Sequence, residues 1–311
     1  MSAFAAVHLP RFDGATGWLN SPPLESDDLL GKVVLADFWT YTCINWLRTL
    51  PYVRAWFERY AEHGLVIVGV HTPEFPFERD RDNVREAARA MRVDYPIALD
   101  PDYAVWDAFS NRYWPAVYIA DSDGRIRYEH FGEGSYDETE RVIQKLLRDA
   151  GADGIGDDFV DVVPDGFEAQ ADWANLRSPE AYLGFQQAVS APARDARDLD
   201  LNDWALTGDW TVDARAVVLN QPGGQIAFRF HARDVNLVMR AQPGTTVPFQ
   251  VLIDGESPGD AHGVDVDDEG HGTLVEPRMY QLVREPATIA DRTLELTFED
   301  PGVELYVFTF G

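Results

Sequence analysis

Two patterns of apolar positions divide the chain. In the first half, short apolar runs alternate with segments whose apolar residues recur at helical spacing. VVLADFW (33–39) is a run of strand-forming residues, and INWLRTLPYVRAWFERYAEHG after it has a helical period that stops at Gly64. Pro51 lies inside that period and is expected to kink the helix. LVIVGVHT (65–72) predicts a second buried strand, RDNVREAARAMRV an amphipathic helix, PIALD a strand after Pro96, and AVWDAFS a short helix. PAVYIADSDGRIRYEHFGEG (115–134) predicts two strands joined at Ser122-Asp123-Gly124. DETERVIQKLLRDAG closes this half as a helix, with Asp137 as its cap and Gly151 as its stop. The order β-α-β-α-β-β-α predicts a mixed central sheet covered by helices, an α/β fold.

The stretch GADGIGDDFVDVVPDGFEAQADWAN (151–175) is rich in Gly, Asp and Pro and is expected to be a linker. Beyond it the helical period disappears. WALTGDWTVD, RAVVLNQ, QIAFRFHA, VNLVMRA, VPFQVLIDG, RMYQLVR, RTLELTFED and VELYVFTFG are short, partly alternating apolar runs, many separated by turn signals such as NQPGG, QPGTT and DPG. Such spacing predicts an antiparallel β-sandwich of jelly-roll type. The expected organisation is an α/β domain over 1–152, a linker over 153–175 and an all-β domain over 176–311.

Composition narrows the function. The 311 residues are 45% hydrophobic and 12% aromatic, enough for two cores. Against 53 acidic residues stand 26 basic ones, a formal charge of -27. A surface this negative repels phosphate backbones and anionic membranes, so neither nucleic acid nor membrane is an expected partner. MSAFAAVHLPRFDGATGWLN lacks the basic flank and apolar run of a signal peptide, and no apolar run reaches a membrane-spanning length. The chain as written is expected to be soluble and cytoplasmic, or extracytoplasmic if a leader was removed. A single cysteine, Cys43, allows no disulfide within the chain.

That cysteine sits in DFWTYTCINW (37–46), where a strand ends near Trp39 and a helix begins near Cys43. Unpaired backbone N–H groups and the helix dipole there favour an anion, and such a place lowers a thiol pKa from ~8.5 toward neutrality. The thiolate is a nucleophile and oxidises readily to sulfenic acid. The competing assignment is a buried structural cysteine acting as a small hydrophobe.

Residues 5 to about 150 resemble the thioredoxin superfamily, specifically its TlpA-like and AhpC/TSA redoxins, on the segments VVLADFWTYTC and NRYWPAVYIAD. The resemblance implies that Cys43 is the attacking cysteine and Asp37 a buried proton acceptor. It places Pro51 as the kink proline and Pro115 as a cis-proline beside Cys43. Candidate substrate-binding residues are Trp39, a site-lining ring or plain core; Trp46, a lid beside the sulfur or helix packing; Trp114; and Arg112, near the cis-proline loop or in a surface salt bridge. GVHTPEF and FGEG, with RSPEAYLGFQQ and ELYVFTFG in the second half, are similar to DipZ-type proteins, which join a redoxin domain to a carbohydrate-binding-like sandwich of galactose-binding type.

The departure is Trp46, which stands where Cys-x-x-Cys members carry their resolving cysteine. Three functions stay open. The first is thiol–disulfide exchange by one cysteine, with an external thiol (glutathione or a protein dithiol) completing the cycle on a protein substrate. The second is reduction of peroxide, with Thr40 placed as in a Thr-x-x-Cys element and Arg48 or Arg112 beside the sulfur; Ala36, where that motif opens with proline, weakens it. The third is a binding protein on a redoxin scaffold, in which Trp46 helps form an apolar recognition surface.

Other residues weigh less. His71 and Glu74, in GVHTPEF, fall at the end of a strand where α/β sites gather. No cofactor is expected, and the seven histidines show no zinc-ligand spacing with the cysteine. GVDVDDEGHG (263–272) is acidic but departs from the calcium-loop spacing. Trp173, Trp204, Trp210, Tyr182 and Tyr280 are candidate rings for a carbohydrate on the second domain.

Overall fold

The computed structural model describes residues 7–311 apart from Val189, Arg194 and Ala287; residues 1–6, on which part of the expectation about a leader falls, lie outside the described residues. The chain forms two compact units, the first ending at Glu168 and the second beginning at Ala169.

The first unit is a mixed sheet with helices. Its elements are β1 (Gly17–Leu19), α1 (Ser26–Leu29), β2 (Val33–Trp39), α2 (Ile44–Tyr60), β3 (Leu65–His71), α3 (Arg81–Ala90), β4 (Ile97–Leu99), α4 (Ala104–Ala108), β5 (Ala116–Ala120), β6 (Ile126–Phe131) and α5 (Tyr136–Asp149). The strand order is β1-β4-β3-β2-β5-β6. The pairs β2/β3 and β3/β4 are parallel, while β2/β5 and β5/β6 are antiparallel. Every residue of β2 is buried, as expected of a central strand covered on both faces.

Local chemistry fixes most boundaries. Helix α2 continues through Pro51, and Gly64 ends the 3₁₀ turn that follows it, at φ 99. Asp80 caps α3 by accepting a hydrogen bond from the Asp82 N–H at 2.8 Å. Asp121 accepts from the Asp123 and Arg125 amides and sets the β5–β6 turn, with Gly124 at φ 77. Ser135, not Asp137, is the N-cap of α5, and Asp137 lies in the first turn, where its charge faces the helix dipole.

The Gly/Asp/Pro stretch expected to be a linker is not a free tether up to Glu168. Arg59 donates to Asp158 at 2.6 Å, and the Val160 N–H donates to both carboxylate oxygens of Glu140 at 3.1 Å. Arg54 donates twice to Glu168, at 2.8 and 2.7 Å. Irregular chain carries open N–H groups and carboxylates, and α2 and α5 supply their partners.

The second unit consists of two antiparallel sheets. Its strands are β7 (Ala181–Tyr182), β8 (Trp204–Thr207), β9 (Trp210–Val212), β10 (Val217–Leu219), β11 (Gln225–Phe230), β12 (Asp234–Arg240), β13 (Val247–Ile253), β14 (His271–Leu274), β15 (Arg278–Arg284), β16 (Arg292–Phe298) and β17 (Glu304–Phe310). One sheet runs β15-β12-β17-β10-β9, with β7 added on β17; the other runs β14-β13-β16-β11-β8. Phe228, Leu237, Val251, Leu296 and Phe308 belong to one apolar core. WALTGDWTVD is divided where one strand was expected. Gly208 stands at φ 105, and the chain leaves β8 in one sheet for β9 in the other. Strand β14 starts inside the acidic loop, an element its composition did not suggest.

Candidate active site

The site forms at one edge of the first sheet. Phe38 in β2 pairs with Ala116 in β5, so the turn after Trp39 and the residue before Ala116 meet at the same end of neighbouring strands. Cys43 leaves β2's end as the N-cap of α2, and the Trp114–Pro115 peptide entering β5 is cis, as the resemblance implied. The Cys43 N–H donates to the Thr40 carbonyl at 3.2 Å, and its own carbonyl accepts the Leu47 N–H at 2.9 Å. Cys43 is partly exposed, at the start of a 17-residue helix.

Asp37, on the strand that leads to this turn, is wholly buried. Its Oδ2 accepts from the Trp46 indole N–H at 3.0 Å and from the Tyr95 hydroxyl at 3.3 Å, while Oδ1 lacks a partner. Burial pushes its pKa up to about 7, against the downward pull of those two donors. Gly69, opposite Asp37 on β3, makes the room: a Cβ there would lie 2.9 Å from both the Trp39 indole nitrogen and the Tyr95 ring.

Trp39 and Trp46 stack with ring centres 4.2 Å apart, and both are fully buried. This corrects their expected place in the substrate groove. The sequence put Trp46 where a second cysteine would be; the fold turns its ring inward, because its N–H finds a buried carboxylate and its face finds Trp39. A recognition surface made by Trp46 is likewise not what this arrangement offers. Pro115 is buried and Trp114 partly exposed. The Trp114 N–H donates to the Thr72 carbonyl at 3.1 Å, and Thr72 N–H donates to the Trp39 carbonyl at 3.0 Å. Arg112 is exposed.

Residues proposed for peroxide chemistry are placed differently from expectation. Thr40 is fully buried. Arg48 is buried and pairs with Glu133 of FGEG at 3.0 Å, so its charge is matched by a carboxylate. His71, also buried, packs edge-on to Trp39 and stacks on Tyr41; burial drives its pKa down to about 3, so its ring is neutral. The Glu74 N–H donates to Glu78 at 2.7 Å.

Three buried groups escaped the sequence reading. Tyr95 reaches Asp37. Glu78 is 1% exposed and accepts from the Thr42 hydroxyl at 2.6 Å. Asp100 accepts from the Val105 and Trp106 amides at 2.9 Å and from the Thr72 hydroxyl at 3.0 Å. Each bonds a residue at least five positions away, and for Tyr95 the separation is 58, so no local pattern marks them. A cavity of about 370 Å³ lined by Arg54, Phe57, Tyr95, Val163 and Glu168 opens elsewhere on this unit, and Cys43 does not line it.

In the second unit Trp204 and Tyr280 are buried in the core, which corrects their expected availability to a sugar. Trp173 is exposed, and Trp210 and Tyr182 are partly so. Among the described residues no group of His, Cys, Asp and Glu side chains is arranged to hold a metal, and no helix is long and apolar enough to cross a membrane. In the acidic loop, Asp265 is taken by Arg278 and the Gln281 amide.

A thioredoxin-fold unit with a cysteine at the head of α2 and a cis-proline beside that strand end defines a thiol–disulfide oxidoreductase scaffold. The chain belongs to the thioredoxin-like AhpC/TSA family: residues 8–129 match the AhpC/TSA family, and residues 178–311 match the thioredoxin-like C-terminal domain. Protein DipZ of Mycobacterium tuberculosis is 35% identical over an alignment of 320 residues that covers 97% of this chain and 42% of DipZ. The chain thus spans less than half the length of that relative. The thiol-disulfide oxidoreductase YkuV of Bacillus subtilis is 30% identical over 140 residues, 45% of this chain and 93% of YkuV. A solved thioredoxin-like protein in its oxidised form aligns at 29% identity and a TM-score of 0.43, over 46% of this chain and 97% of its own.

Proposed function

We propose that the chain exchanges thiols with disulfides through Cys43 alone, and that an external thiol completes each cycle. The observation that carries this reading is a partly exposed cysteine at the N-cap of α2, with Trp46 buried in the place of the second sulfur. The name of the YkuV relative points to the same chemistry.

The Cys43 thiolate attacks one sulfur of a substrate disulfide. A Cys43–substrate S–S bond forms, the original S–S bond breaks, and the other sulfur leaves as a thiolate. An external thiol, glutathione or the first sulfur of a protein dithiol, then attacks the Cys43 sulfur of the mixed disulfide; the substrate's second sulfur leaves as a thiolate and Cys43 is left bonded to the external sulfur. A second external sulfur attacks that external sulfur, forming the external disulfide and releasing Cys43 as a thiolate. The external thiols supply both electrons. The amides of the first turn of α2 and the helix dipole favour the thiolate. Pro115 shapes the wall against which the substrate lies, with Trp114 and exposed Arg112 beside it. Asp37, poised near neutrality, takes up and returns protons in this cycle.

Buried Thr40 and the Arg48–Glu133 pair give the peroxidase alternative less support, since a peroxide-orienting hydroxyl must be reachable. Incubation of the chain with oxidised glutathione is expected to add one glutathione to Cys43 by mass spectrometry, and added dithiol to remove it. Cys43→Ser is expected to show no adduct. Absence of an adduct on the unaltered chain, with its thiol titrating near ~8.5 as an ordinary cysteine does, would reject the reading.

A further inference from the structure

We infer that Glu78 is a positioning residue for the nucleophile: it clamps the residue before Cys43 to the loop that follows β3. The inference rests on the thiol chemistry proposed above. Glu78 Oε1 accepts the Thr42 hydroxyl at 2.6 Å, and Oε2 accepts the Glu74 N–H at 2.7 Å and the Phe75 N–H at 2.8 Å. Glu78 and Thr42 are each 1% exposed. One carboxylate therefore ties together two loops at the site edge, the 40–43 turn after β2 and the 72–78 turn after β3.

Burying a carboxylate is costly unless donors meet it, and here three do. If this contact only packed the loops, an apolar side chain would serve as well. A carboxylate adds direction instead: three donors fix where Thr42 sits, and Thr42 is covalently next to the N-cap residue. The Cys43 backbone is held on both sides, by the Thr42–Glu78 bond before it and by its carbonyl bond to Leu47 after it. The sulfur's line of approach to a disulfide is sensitive to such placement, because attack needs aligned atoms.

The test compares Glu78→Ala, Glu78→Gln and Thr42→Val in the full chain, by the rate at which Cys43 attacks oxidised glutathione and by its alkylation with iodoacetamide. Glutamine keeps the clamp: its carbonyl oxygen accepts the two amides and its NH₂ meets the Thr42 oxygen. Glu78→Ala and Thr42→Val are expected to slow attack on the disulfide about tenfold, below the roughly hundredfold cost of a 1 Å misplacement. Glu78→Gln is expected to stay within about threefold of the unaltered chain, so that the conservative change rescues. The double variant Glu78→Ala/Thr42→Val is expected to be no slower than either single one, as for two ends of one contact. Near-UV circular dichroism checks that each variant is folded, and Thr42→Val carries the test if Glu78→Ala is not. An alanine variant as fast as the unaltered chain, a glutamine variant as slow as alanine, or additive losses overturn the assignment. If the unaltered chain forms no glutathione adduct, the thiol-exchange reading has failed on its own, and the iodoacetamide rates still decide the clamp.

Discussion

The two units treat buried polarity in different ways. At one end of the first sheet, Asp37, Thr40, Thr42, His71, Thr72, Glu78 and Asp100 are all buried, and Asp37 Oδ1 and His71 Nε2 are among their polar atoms without a partner. Between the sheets of the second unit the core is a set of aliphatic and aromatic side chains. Some of its charged pairs are open, such as Arg292 with Asp254 at 2.5 Å, while others, such as Arg233 with Asp234, have a buried carboxylate. Apolar burial stabilises without direction, whereas buried polar groups must be matched by specific donors and acceptors. The second unit buries polar side chains too, among them Asp234, Asn236, Gln281 and Thr309, so the contrast lies in their gathering at the strand ends that carry Cys43 in the first unit, not in burial itself.

Several changes break or sharpen this contrast. The largest effect is expected from Cys43→Ser, which removes glutathione adduct formation altogether while leaving the thermal midpoint close to that of the unaltered chain; calorimetry and mass spectrometry read the two. In the second unit, Phe228→Ala empties a site that touches Phe308 and Phe310, at ring distances of 4.9 and 5.2 Å. A loss of about 3–5 kcal/mol is expected by denaturant titration.

Asp37 gives the reverse result. Its pKa is about 7 in the folded chain against 3.8 for an ordinary aspartate, so the folded form keeps a proton that the unfolded form has lost. Its contribution to stability therefore falls as pH rises through that window, by up to about 4 kcal/mol. Asp37→Asn is expected to be more stable than the unaltered chain at pH 8 by a few kcal/mol, with the difference shrinking toward pH 4. His71 works in the opposite sense: its pKa of about 3 lies below the ordinary 6.5, so its contribution is lost as pH falls below 6.5. His71→Phe is expected to flatten the acid side of the stability profile. An Asp37→Asn difference that does not change with pH would refute the assignment of a buried, proton-holding carboxyl.

Smaller effects follow. Trp46→Phe removes the indole donor to Asp37 and is expected to cost about 1–3 kcal/mol, the range for leaving a buried acceptor less satisfied. The smallest belongs to Lys145→Ala, which breaks an exposed pair with Asp149 one helical turn away; no more than about 0.5 kcal/mol should be lost. A loss of several kcal/mol there would show that surface charge, not the buried edge, carries the electrostatics of this unit.

Much of the architecture is carried by local pattern. The alternation of runs and helical periods identified β2, α2, β3, α3, β5, β6 and α5, because amphipathic spacing and turn chemistry act over a few residues. The division of WALTGDWTVD and the presence of β14 were not legible, since a glycine between two short apolar runs does not say which sheet each joins. For the site, DFWTYTCINW placed Cys43 at a helix start, and family likeness placed Pro115 as cis. The direction in which Trp46 points was not written in that segment. An indole at this position can face outward or inward, and only a carboxylate and a second indole beneath it decide.

The amino-acid sequence by itself determined that this chain carries one thiol, no partner thiol, and a strand-to-helix junction to hold it. Those are matters of composition and short-range geometry. Tertiary structure decided what surrounds that sulfur: Tyr95 meeting Asp37 over a gap that Gly69 leaves, and Glu78 gripping Thr42 from 36 residues away. Such contacts join distant segments across the end of a sheet, and their strength comes from being shielded from water, a condition that exists only once the chain has folded.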